Sequence, residues 1–238
     1  MIAIVAAIRE EVTSLRSLNR KTKGMVQITV AGVGKEKVIA ATNHLVNADP
    51  KPSLVMSMGF SGALTNDLHT GDLVLARKVF LADSESYLET TTRYYNMAEK
   101  AINDNTLPYV RRDSLTVPGL VRTLDERERL AQIYSCQAVN MEDYWVCSAA
   151  SQAGVPFLSV RAVLDDADQE LPKYIEEIMW QKERRQGLRI ILGSMARPLR
   201  VPRLLTLARQ AKIAQKSLNT FTRSFVAAAI SDGACNSA

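Results

Sequence analysis

Residues 155–168 read Val-Pro-Phe-Leu-Ser-Val-Arg-Ala-Val-Leu-Asp-Asp-Ala-Asp. Val155 to Val163 is a short, mostly apolar run, of the kind that forms a strand buried on both faces. It leads directly into Asp165, Asp166 and Asp168. Just upstream, Glu142 begins a helix: Trp145, Val146, Ala149 and Ala150 follow it at the spacing of one helical face, and Gly154 ends it. A short strand, Gln137 to Met141, comes before that helix, and a helix from Glu126 to Tyr134 comes before the strand.

The same alternation runs back to the start of the chain. Ile2 to Ile8 reads as a buried strand, Arg9 to Leu18 as a helix with Val12, Leu15 and Leu18 on one face, and Met25 to Ala31 as a strand. Gly32-Val33-Gly34 opens a helix through Val46; it lacks the spacing of a phosphate loop and reads as a tight turn. Ser53 to Met58 is a strand entering a glycine loop, Gly59-Phe60-Ser61-Gly62-Ala63, and Asp72 to Val79 is another strand. Residues 83–114 are polar and read as a loop or irregular insertion. Repeated strand and helix predict one α/β domain with a largely parallel or mixed sheet flanked by helices. In such sheets ligands collect beyond the C-terminal strand ends. Glu11, the 59–64 loop, Glu142 and Asp165 all follow predicted strands, which is the reason for grouping them.

Composition narrows the function. The 238 residues suffice for one large core, and no apolar run approaches the roughly 20 residues of a membrane span. The apolar start lacks a basic lead and a small-residue cleavage site, so it is expected to be a strand rather than a signal peptide. Cys136, Cys147 and Cys235 are too scattered for a disulfide framework, which fits a cytoplasmic setting. His44 and His69 lie far apart and show no metal-ligand spacing, so no metal is expected. Between Lys182 and Arg223 stand eleven Lys or Arg and one acid, Glu183, so this segment carries +10 and the rest of the chain −5. The predicted division is an α/β body over 1–181 and a basic helical extension over 182–238, packed on or beside that body. No nucleic-acid motif accompanies the basic residues, and no nucleic-acid partner is expected.

Taken singly, the acids have plain readings. Glu11 is an acid in a helix's first turn, Glu142 precedes an apolar helix, and Asp165, Asp166 and Asp168 could cap a helix or face solvent. Ser61 has no His to activate it. Their joint placement at strand ends favours a site.

Three stretches, AAIREEV at 6–12, MGFSGAL with GDLV at 58–74, and AVNMEDYWV with PFLSVRAVLDDAD at 138–168, together resemble the nucleoside phosphorylase and nucleosidase superfamily. Their order and spacing are similar to those of methylthioadenosine/S-adenosylhomocysteine nucleosidases. The resemblance covers roughly residues 1–170. It implies a nucleoside phosphorylase-like fold around a twisted mixed sheet, a purine nucleoside as substrate, no cofactor and a homo-oligomer. By position it implies that Glu11 activates water, Glu142 binds the ribose hydroxyls, Met141 packs beside the sugar and Asp165 protonates the purine at N7. Phe60, Ser61 and Gly62 would approach the ligand, and Leu120 and Val121 would line the base pocket. The chemistry asks for a neutral Asp165 beside two charged glutamates, so the three need different surroundings.

There are departures. Phe60 stands where many relatives carry Ser or Thr, Leu164 replaces a Ser, and Asn140 replaces an acid. No Gly-Asp-Pro-x-Arg phosphate-binding stretch occurs, which favours water, although phosphate as co-substrate stays open. A non-catalytic nucleoside-binding or membrane-surface protein on this fold is the other alternative. The chain continues past the resemblance with Arg-Pro-Leu-Arg-Val-Pro-Arg-Leu-Leu at 197–205 and a helix with Leu204, Leu207, Ala208, Ala211 and Ala214 at helical spacing. With Asp-Gln-Glu-Leu-Pro at 168–172, this is similar to the hopanoid-associated branch, which implies release of adenine from adenosylhopane, a membrane lipid precursor. The basic residues over 182–223 would then rest on the inner membrane surface. A solvated helix face or an oligomer contact explains them equally well.

Overall fold

The computed structural model describes residues 1–15, 17–176 and 201–233. Residues 177–200, which hold the 181/182 division and the first half of the basic segment, lie outside the described residues. The strands are β1 (Ile2–Ala6), β2 (Val26–Val30), β3 (Leu54–Ala63), β4 (Leu73–Ala76), β5 (Lys78–Leu81), β6 (Tyr87–Glu89), β7 (Tyr109–Arg111), β8 (Ser114–Thr116), β9 (Ala138–Asn140) and β10 (Phe157–Asp165). The helices are α1 (Arg9–Val12), α2 (Leu18–Lys21), α3 (Lys35–Val46), α4 (Thr92–Asp104), α5 (Leu124–Tyr134), α6 (Asp143–Gln152) and, after the undescribed stretch, α7 (Val201–Ser231).

All ten strands form one mixed sheet, as predicted. β3 is its centre: β10 runs parallel along one edge, while β1 pairs with its first half and β9, antiparallel, with its end. The β1 side chains alternate between two cores. Ile2 and Ile4 join Met56, Met58, Leu158 and Val160 under α4 and α7. Ala3 and Val5 join Val55 under α3 and α6. This is the period-two logic of a strand covered on both faces.

Several expectations are corrected. The helix expected over Arg9–Leu18 is broken: α1 ends at Val12, a 3-10 turn covers Thr13–Leu15, and α2 begins at Leu18. Leu15 and Leu18 are buried all the same. The strand expected from Asp72 to Val79 is two strands, because β4 pairs with β10 and β7 whereas β5 pairs with β6 and β8. The stretch read as a loop, 83–114, holds β6, β7 and the 13-residue α4. Tyr94, Tyr95, Ala98, Ala101 and Ile102 form the buried face of α4 at helical spacing, a pattern hidden among polar neighbours. The glycine loop at 59–63 is no loop: Phe60, Ser61 and Gly62 continue β3.

The second half of α7 belongs to the main core. Ala214, Leu218, Phe221, Phe225, Val226 and Ala229 are buried there, and the Phe221 and Phe225 rings stack 5.6 Å apart. Its first half is more open: Leu204, Leu207 and Ala211 are half-buried and Ala208 is exposed.

Candidate active site

Glu11, Glu142 and Asp165 are all buried, at 3%, 7% and 4% exposure, in a protein whose other acids mostly face solvent. Glu11 sits in the first turn of α1. Its Oε2 accepts the backbone N–H groups of Ala7 (2.8 Å) and Ile8 (3.0 Å), capping the helix start, and its Oε1 reaches across to the N–H of Phe60 on β3 at 2.9 Å. Burial pushes the Glu11 acid up, and Arg161 and these three donors oppose that shift.

Glu142 is the N-cap of α6 and is placed by Asn140. The Asn140 Oδ1 accepts the N–H groups of Glu142 (3.0 Å) and Asp143 (2.8 Å). The amide that stands in place of an acid therefore has a structural use, since it satisfies the open N–H groups of α6. Burial raises the Glu142 carboxyl to about 7; Arg161 pulls it down, Glu11 adds to the rise, and the N–H of Gly34 pulls down again.

Arg161 lies between the two glutamates. Its Nη1 is 4.0 Å from Glu142 Oε2, and it acts electrostatically on Glu11. It is fixed by Asp143, whose Oδ1 accepts from Arg161 Nη2 at 2.7 Å. Asp143 also accepts from the hydroxyls of Ser57, Ser114 and Ser159 and from the Asn140 amide. Burial works against the Asp143 anion, yet Arg161 and the serine donors outweigh it and hold the carboxyl below its ordinary value.

Asp165 closes β10. Register slips between Val163, paired with Ser61, and Asp165, paired with Gly62. Leu164 is the extra residue of this bulge, and it turns Asp165 towards Gly62. Asp165 Oδ2 forms an ion pair with the buried Arg127 of α5. Burial raises the Asp165 carboxyl, and Arg127 opposes the rise. The neutral form required of an acid is thus favoured by burial and disfavoured by its neighbour.

A cavity of about 40 Å³ adjoins Asp165, lined by Gly62, Leu120, Val121 and Met141 with Val117 and Val139 among its apolar walls. It has room for about one water, so a base entering it must push side chains aside. Leu120 and Met141 are half-buried. Met141 links the two halves of the site, since it walls this cavity while Glu142, its neighbour, faces Arg161. Ser61 is buried beside Gly62 with its hydroxyl unpartnered among the described residues. Phe60 contributes its backbone to Glu11 and packs its ring against the main core. A cavity of about 520 Å³ lies elsewhere and is lined by Arg77, Tyr95, Glu99 and Arg111 without any of the three buried acids. Chemistry rather than volume therefore marks the site.

Two glycines let charged side chains cross the sheet. A Cβ on Gly59 would lie 2.5 Å from Glu11 Oε1 and nearer still to Arg161. One on Gly62 would lie 3.0 Å from Asp165 Oδ2 and 3.1 Å from Arg127 Nη1. Sequence reading missed Arg161, Asp143 and Arg127, although signals were present. A lone arginine inside an apolar strand must be paired. Arg127 stands three residues before the buried Leu130, on the inner side of its helix. Among the described residues, no three His, Cys, Asp or Glu group as metal ligands.

Residues 6–192 match the Phosphorylase superfamily. A 5′-methylthioadenosine/S-adenosylhomocysteine nucleosidase of Staphylococcus aureus (strain MRSA252) is 24% identical over 215 residues, covering 75% of this chain and 92% of that protein. Among solved structures, the nucleosidase of the same name from Neisseria meningitidis, in complex with methylthio-immucillin-A, superposes with a TM-score of 0.72 at 15% identity, covering 94% of this chain and 97% of the other. Futalosine hydrolase of Helicobacter pylori gives a TM-score of 0.68 at 18% identity over 93% and 97%. Fold, topology and the span of the sequence match agree, and the chain belongs to the Phosphorylase superfamily.

Proposed function

We propose that this protein hydrolyses the N-glycosidic bond of a purine nucleoside and releases adenine. The observation that carries the reading is the grouping of Glu11 and Glu142 around one buried arginine, with Met141 joining them to an apolar cavity that ends in Asp165. A base in the cavity receives a proton at N7 from Asp165, which lets it leave neutral. The sugar becomes oxocarbenium-like, and the Glu142 anion grips its hydroxyls and stabilises the positive charge. Glu11 orients water and takes its proton.

Electrostatics favour water over phosphate. Arg161 is the cation between the glutamates, and its Nη2 is already committed to Asp143 and Ser57. Glu11, Glu142 and Asp143 surround this one guanidinium, and their anions repel a phosphate dianion. The relatives named as nucleosidases and as a hydrolase support the same choice.

The test is an adenine-release assay on methylthioadenosine, S-adenosylhomocysteine and a lipid-linked adenosine. Asp165→Asn, which can keep a hydrogen bond to Arg127, is expected to lose about 10²–10⁴-fold in rate with an unchanged melting temperature. Full activity in that variant contradicts the acid role.

The narrower reading is a lipid-linked substrate such as adenosylhopane, met at a membrane surface. Its support is α7, which has no Asp or Glu from Val201 to Ser231 and presents Leu205, Arg209, Lys212, Ile213 and Lys216 on its open side. Such a face suits an anionic bilayer. Among the described residues no helix is long and apolar enough to cross one. Lys212→Glu with Lys216→Glu should abolish co-sedimentation with anionic vesicles; unchanged sedimentation rejects this reading.

A further inference from the structure

Asp165 is held by the second buried arginine of the site. Arg127 comes from α5 and is 2% exposed. One guanidinium nitrogen, Nη1, donates to the carbonyl of Ala63 at 2.7 Å, and the other, Nη2, is taken by Asp165 Oδ2. Asp165 lines the small cavity and Arg127 does not. Among the described residues Asp165 Oδ1 accepts no hydrogen bond, so the arrangement commits one carboxyl oxygen to the arginine and leaves the other for a ligand. Gly62 leaves the space in which the pair meets, because a side chain there would press on both partners.

We propose that Arg127 is a positioning residue that turns Asp165 Oδ1 to the base cavity and sets the pH above which Asp165 can no longer supply its proton. The inference rests on the nucleosidase reading above. In the step concerned, the proton on Asp165 passes to purine N7 as the bond between C1′ and N9 breaks. The electron pair of that bond stays on the base, and Asp165 is left as the anion, which Arg127 stabilises. Arg127 therefore makes Asp165 a stronger acid and also makes it lose its proton at lower pH. The other charged neighbour is Asp166, next along the chain, whose carboxylate opposes ionisation of Asp165 and is itself bound by the N–H and hydroxyl of Thr70. β3 and β9 carry no titratable side chain, and β3 brings Gly62 and the Ala63 carbonyl to the pair.

The experiment compares the intact protein with Arg127→Met, Arg127→Gln and Arg127→Lys. Side-chain carboxyl ¹³C resonances of labelled aspartate are followed against pH, with Asp165→Asn identifying the signal. The titration midpoint of Asp165 is expected to rise by about one to three pH units in the Met and Gln variants and to return towards the original value in Lys. With methylthioadenosine as substrate, the alkaline limb of kcat/KM should rise by the same amount, while kcat on the plateau falls. Gln retains a donor for the Ala63 carbonyl and so keeps the comparison open should Met fail to fold. A midpoint that stays in place, or a midpoint that moves while the alkaline limb does not, overturns the proposal. If the unaltered protein releases no base from any nucleoside, the nucleosidase reading fails, and the titration still decides whether Arg127 governs Asp165.

Discussion

At the scale of single residues, Glu142 is set apart by its protonation. Its carboxyl is raised to about 7, first by burial, and a grip on ribose hydroxyls needs the anion. The expected outcome is a kcat/KM that falls about tenfold per pH unit below about 7, measured with methylthioadenosine. A limb near the ordinary glutamate value would mean that Arg161 outweighs burial. The same shift has a consequence for stability. The folded protein binds this proton more tightly than the unfolded chain, so the contribution of Glu142 is present at low pH and is lost as pH rises through about 7. The three acids were legible because each follows a strand in a single α/β pattern. Their controllers were not, because pairing such as that of Arg161 with Asp143 is a contact between residues 18 apart that no local periodicity encodes. Ser61 and Phe60 were legible as near the site, yet a reading of glycine as loop-former concealed that Gly59 and Gly62 make room for side chains inside a strand.

At the scale of elements, α7 shows how charge can mislead. Its Lys and Arg residues advertise a surface tail, while Phe221, Phe225, Leu218 and Ala229 fill the core between α4 and β10. Phe225→Ala is expected to cost about 3–5 kcal/mol in chemical denaturation, with KM for a nucleoside unchanged once the protein is folded. A loss below about 1 kcal/mol would mean that the helix is dispensable. For the same reason, a chain cut near Lys182 would lose part of its core, and charge reversal is the sounder probe of the open face. α4 escaped notice because its apolar residues are tyrosines and alanines spaced among polar ones. The bulge at Leu164, which decides where Asp165 points, depends on register and is silent in the sequence.

At the scale of the molecule, the sheet gathers at one end what the chain scatters over more than 150 residues. β1 and β3 end near Glu11 and the two glycines, β9 hands over to Glu142, and β10 ends on Asp165. The alternation of strand and helix made this architecture readable, and β3 realises it by pairing with β1, β9 and β10 together. Burying four acids, Glu11, Glu142, Asp143 and Asp165, with two arginines is costly, because each must be paired or shifted in pKa, and such clusters concentrate at functional sites. On the proposed reading, the whole arrangement sends a proton to a leaving base while water attacks the sugar. The measurement that bears on this most directly is turnover of methylthioadenosine in ¹⁸O-labelled water without phosphate. Free adenine and a sugar carrying one ¹⁸O at C1 are expected, and both should vanish in Glu11→Gln. Folded protein that releases no adenine, or releases it only with phosphate to leave an unlabelled sugar 1-phosphate, would contradict the account.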